Sequence, residues 1–115
     1  MSSLSLDTRH EGARTVVSLN GDLDLATVPA LCDTALSELG NADCHVLVLD
    51  LAQLTFIDST GLGCFIDLRN QARDAGKSVE LASVPATARR TFQIAGLAEV
   101  FGLDKDSSGN ETSAT

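Results

Sequence analysis

Residues 45–63 read HVLVLDLAQLTFIDSTGLG. The first part, 45–51, is almost continuously apolar, the pattern of a strand packed deep in a sheet and covered on both faces. We place it mid-sheet. Residues 54–57 form a short apolar approach to a helix over 59–75. That helix turns Phe65, Leu68, Ala72 and Ala75 inward, with Leu62 and Ile66 widening the stripe. The opposite stripe, Thr60, Gly63, Asp67, Gln71 and Asp74, is small or polar and is expected to face outward, free to bind. Gly76 supplies the stop.

Toward the N-terminus, residues 4–9 roughly alternate and 15–19 are β-branched and apolar, with Glu11 and Gly12 as turn residues, so a strand pair is expected. Gly21 is read as the break in the second strand. Thr27 and Pro29 then open a helix whose apolar positions are Val28, Leu31, Cys32, Ala35, Leu36 and Leu39, with Gly40 as its end. Beyond Gly76, residues 78–84 read as a strand ended by Pro85, and 86–95 as a shorter helix stopped by Gly96. Leu97, Val100 and Phe101 cap the core. The expectation is one α/β domain over 1–103, a mixed β-sheet of four to five strands packed with helices. Residues 104–115 are small and polar, too poor in apolar area to offset the entropy of ordering, and read as a flexible tail.

A chain of 115 residues has room for one modest core, burying roughly two thirds of its unfolded surface. The net charge of -8, with no run of Lys or Arg, repels a phosphate backbone or an anionic lipid surface, which argues against nucleic acid as a partner. The apolar runs fall far short of the roughly 20 residues that span a bilayer, so no membrane insertion is expected. The first residues lack a secretory pattern, and the cytoplasm is the expected compartment. Cys32, Cys44 and Cys64 match neither a CxxC pair nor a zinc pattern and read as reduced core residues. Cys64, near a helix start, is also open to a lowered pKa and reactivity. No metal or cofactor is expected.

An enzymatic serine needs a base, and the two histidines, His10 and His45, sit in no triad signature. Residues 57–61 read IDSTG and lack the first glycine of the GxSxG elbow. Phosphate loops, dinucleotide fingerprints, HExxH and EF-hand loops are all missing from the sequence. Asp58 or Ser59 serves naturally as a helix N-cap. Gly61 and Gly63, however, each cost roughly 0.5 to 1 kcal/mol relative to alanine in the first turn of a helix. Something approaches that turn closely: another part of the fold, a partner protein or a nucleotide-bearing site.

These residues resemble a known signature. Val46 to Leu49, then Leu54, Phe56, Ile57, Asp58, Ser59, Thr60, Gly61, Leu62 and Gly63, look like the central motif of the STAS domain family. Gly21, Asp22, Leu23 and Asp24 resemble that family's glycine-acid-Leu-Asp turn. Pro85 through Arg89, with Phe92, Gly96, Leu97 and Phe101, resembles its C-terminal helix. Within the family the likeness is to free-standing bacterial anti-sigma factor antagonists. The resemblance implies a non-enzymatic partner switch. The unphosphorylated protein binds an anti-sigma factor serine kinase and releases sigma factor. Phosphorylation at Ser59 breaks that complex, and a PP2C-type phosphatase resets it. Asp24, Asp58, Thr60, Gly61, Gly63 and Asp67 are the matching partner-binding candidates. Asp24 is equally readable as a turn or cap residue, Thr60 as a second phosphoacceptor, and Asp67 as a solvated charge. The same family also implies an alternative, a subunit of a stress-signalling scaffold or of a lipid-transport complex; oligomeric state stays open.

Overall fold

A computed structural model describes residues 3–103; the proposed tail, 104–115, lies outside the described residues. The apolar run at its centre is β3 (Val46–Ile57), flanked by β2 (Arg14–Leu23) and β4 (Ser78–Ala82), both parallel to it. β1 (Leu4–Glu11) pairs antiparallel with β2 across a two-residue turn at Gly12 and Ala13, giving the order β1-β2-β3-β4. The sheet is therefore mixed and four-stranded, with the expected central strand in place.

Leu47, Leu49 and Leu51 of β3 and Val17 and Leu19 of β2 are fully buried on one face. Against them pack α1 (Val28–Leu39), α2 (Ser59–Asp74) and α3 (Ala86–Ile94), which contribute Leu31 and Ala35, Phe65 and Leu68, and Ala88 and Phe92 to one core cluster. A short 3-10 turn (Ala98–Phe101) closes it. There Phe101 meets Phe65 and Phe92 edge-on, at ring-centre distances of 6.5 and 5.7 Å, while Phe65 and Phe92 stack at 6.0 Å. Such pairs add roughly 0.5 to 1.5 kcal/mol each beyond area burial and tie α2 to α3. By strand alternation, Val16 and Val48, which are register partners, point to the other face. There Arg14 donates to Glu80 at 3.1 Å and Ser18 to Asp50 at 3.2 Å.

Several sequence expectations change. Gly21 does not end β2: it sits inside the strand at φ +122, and a Cβ there would collide with the Ser3 carbonyl. The same carbonyl accepts the Asp22 amide at 2.9 Å, so the glycine is required by an N-terminal segment lying across it. Residues 45–51 and 54–57 are one strand, with His45 just outside it. Register shifts at Ser18/Asn20 and Gly21/Asp22 each leave β3 one residue longer than β2, which reverses its alternation and hides the continuity. β4 stops at Ala82 because Ser83 adopts φ 54 and leaves the ladder. Ala75 is an exposed helix cap outside the inward stripe, whereas Gly61 and Cys64 are buried within α2.

Candidate functional site

The junction between β3 and α2 is built by local hydrogen bonding. The Asp58 amide donates to the Leu23 carbonyl at 3.3 Å, fastening the end of β3 to the end of β2. The Asp58 side chain then caps α2, its Oδ1 accepting the Gly61 amide at 3.1 Å. Ser59 is thereby freed from capping. It is the first helical residue and is exposed, with its side chain at the positive end of the α2 dipole. Thr60, beside it, is half-buried.

The two glycines of the first turns have different reasons. A Cβ on Gly61 would stand 2.8 Å from Ile57 Cγ1 and 3.0 Å from Leu23 Cγ, so this glycine serves close packing within the fold. A Cβ on Gly63 would meet nothing within 4 Å. Gly63 and Asp67 are exposed, one and two turns along α2 from Ser59. The outward stripe of the sequence analysis is therefore present, with Gly63 as its open floor.

Asp24 organises the turn into α1. Its Oδ1 accepts the Ala26 and Thr27 amides at 3.0 and 3.2 Å, and its own amide donates to Thr27 Oγ1 at 3.0 Å. Thr27 Oγ1 donates in turn to the Asp22 carbonyl at 2.7 Å. This is the turn role; Leu23 joins the turn directly to Asp58. Leu25 and Phe56, 75% and 51% exposed, lie two residues from Leu23 and Asp58 respectively. The sequence reading did not single out either as exposed apolar surface. Their only advance signal was an apolar residue inside a turn and one off the strand's inward phase.

A cavity of about 130 Å³ between β3 and α3, lined by Leu54, Phe56, Ile57, Thr87 and Thr91 among others, adjoins this end. It is smaller than the roughly 300 Å³ at which small-molecule sites begin. Among the described residues no His, Cys, Asp and Glu group is suited to hold a metal, and no helix is long and apolar enough to cross a membrane. Cys64 departs from the reactive reading. It is buried, and burial first, then the hydrogen bond and charge of Cys32 and the charge of Asp67, push its thiol pKa well above the ordinary range.

The family model described as "Mlab, STAS domain" matches residues 6–103. The anti-sigma-B factor antagonist of Staphylococcus epidermidis is 31% identical over 91 residues, spanning 77% of this chain and 82% of that protein. An anti-sigma factor antagonist from Mycobacterium paratuberculosis superposes with a TM-score of 0.77 at 23% identity, covering 86% of this chain and 83% of the other. The antagonist SpoIIAA in its unphosphorylated form gives a TM-score of 0.71 at 19% identity, covering 98% and 89%. The phosphorylated form of the Bacillus protein gives 0.66 at 19% identity, covering 98% and 92%.

Proposed function

Because this chain belongs to the STAS domain family and is related to its anti-sigma factor antagonists, we propose that it is itself such an antagonist, switched by phosphorylation at Ser59. The observation that carries this reading is an exposed serine at a helix start whose cap is supplied by its neighbour, Asp58. With the cap supplied by Asp58, the Ser59 hydroxyl carries no bond that holds the helix start and is open to modification. The antagonist relatives are regulatory binding proteins rather than enzymes, and Ser59 is accordingly a substrate of the partner's chemistry.

In the unphosphorylated state the end of the domain bearing Ser59, the open floor at Gly63 and the exposed Leu25 and Phe56 form the docking surface for an anti-sigma factor serine kinase. Sigma factor is released. Asp58 and Asp67 border the surface, and Thr60 lies beside the phosphoacceptor. A phosphoryl group adds about 1.5 to 2 negative charges at neutral pH. Each like-charge pair that the phosphate makes with an acidic group of the docked kinase about 5 Å away costs roughly 3 kcal/mol at an effective dielectric of 20, over a hundredfold in affinity. The kinase then dissociates, and a PP2C-type phosphatase resets the switch. ATP and magnesium belong to the kinase. The cytoplasm is the setting in which these partners meet.

The test is to incubate the protein with its cell's anti-sigma factor kinase and ATP, map the phosphate, and measure affinity for Ser59→Ala and Ser59→Asp. Phosphate at Ser59, full affinity in Ser59→Ala and a loss of over about a hundredfold in Ser59→Asp are expected. Equal affinity of both variants would sink the switch. Capture of a transporter ATPase irrespective of the charge at position 59 would favour the alternative, a STAS subunit of a lipid-transport complex.

A further inference from the structure

Cys32 lies in the second turn of α1 and Cys64 in the second turn of α2, and their Sγ atoms are 3.0 Å apart. Both are free thiols. The two helices start at the same end of the sheet, because α1 follows β2, α2 follows β3, and those strands are parallel. The sulfurs are about 1 Å further apart than in a disulfide, so the bond requires little movement of either helix. We propose that Cys32 and Cys64 are an oxidation site, converted by a peroxide into a reversible intramolecular disulfide joining α1 to the helix that carries Ser59.

The two residues divide the chemistry by exposure. Cys32 is half-buried and reachable, whereas Cys64 is 4% exposed. The Cys32 sulfur therefore attacks the peroxide: the O–O bond breaks, an S–O bond forms, and Cys32 becomes a sulfenic acid with release of one water or alcohol. The Cys64 sulfur then attacks the Cys32 sulfur. The S–O bond breaks, the S–S bond forms, and the thiol proton leaves with the hydroxyl as water. Two thiols and one hydrogen peroxide thus give one disulfide and two waters. Burial keeps the Cys64 thiol protonated and makes it a poor first target; it enters the second step because its sulfur is already held beside the Cys32 sulfur, and it gives up its proton to the departing hydroxyl as the S–S bond forms. A small-molecule thiol reverses the bond by exchange. In reducing compartments disulfides are usually transient and redox-sensing, and this pair fits that pattern. Cys44 is buried in the segment leading into β3 and serves as an internal control.

The experiment treats the reduced full chain with hydrogen peroxide, blocks remaining thiols and maps the peptides by mass spectrometry without reduction. The expected product is a monomer lighter by two hydrogen atoms, with Cys32 linked to Cys64, Cys44 alkylated, and the thiols restored by dithiothreitol. Cys32→Ser abolishes the link and Cys44→Ser retains it. Linkage through Cys44, disulfide-joined dimers, or oxygen added to single cysteines without a link would each overturn the proposal. The wild-type map decides the matter by itself where a variant fails to fold.

Discussion

Gly61 lies so close to Leu23 that a methyl group on its Cα would stand 3.0 Å from both Leu23 Cγ and Cδ2. The same methyl would meet Ile57 Cγ1 at 2.8 Å. Alanine at this position gains up to about 1 kcal/mol of helix propensity, against roughly 1 to 3 kcal/mol for overpacking beside Leu23 and Ile57, which are both buried in the core. Gly61→Ala is therefore expected to lower the urea midpoint. Gly63→Ala, in open space, is expected to raise it by the propensity alone. Paired urea titrations check the opposite signs, and two shifts of the same sign would show that the close contact does not control position 61.

Asp58 caps α2 through the Gly61 amide at 3.1 Å. Asp58→Ala is expected to cost about 1 kcal/mol, while Asp58→Asn, which keeps an acceptor oxygen, costs a few tenths. Thermal unfolding of the three proteins separates loss of the cap from loss of charge. If the asparagine variant falls as far as the alanine, the charge rather than the hydrogen bond is what stabilises this end.

The sheet and helices were legible because their signals are local. The β3 run, the helix stop at Gly40 and the left-handed glycine at Gly76 each reveal themselves within a few residues. What was misread depends on distant chain. Gly21 looks like a strand breaker until the Ser3 carbonyl is placed against it, and the extra residues in β3 are defined only against β2. Gly61 and Gly63 are equivalent by propensity, and packing alone separates them. The Ser59 position followed from the motif; the exposure of Leu25 and Phe56 is decided by how the surrounding elements pack, and the Cys32–Cys64 contact exists only once α1 lies beside α2.

Phosphate at Ser59 is expected to leave the fold standing. Ser59 is exposed at the first position of α2, where a negative charge gains about 0.3 to 1 kcal/mol from the helix dipole, partly offset by the adjacent Asp58. Ser59→Asp should accordingly unfold within about 1 kcal/mol of wild type while its kinase affinity falls over about a hundredfold. Calorimetric unfolding and a binding titration on the same sample make the comparison. A variant that loses affinity only because it unfolds would fail it.

Cys64 gives the domain a specific alkaline weakness. Its ordinary thiol pKa is 9.0, and burial, Cys32 and Asp67 push it upward in the folded protein. Above pH 9 the unfolded chain releases the thiol proton while the folded protein retains it, so the folded state binds more protons there and rising pH favours unfolding. The contribution is complete below pH 9 and declines through the alkaline range by at most about 1.4 kcal/mol per pH unit. Cys64→Ala loses some packing at all pH values, yet its stability should decline less steeply than that of wild type between pH 9 and 10.5, a range set by the stated thiol pKa. The oxidised protein, with no thiol at position 64 to titrate, should show the same flattening. Urea unfolding across that range measures all three slopes, and parallel curves would show that the buried thiol is not held protonated by the fold.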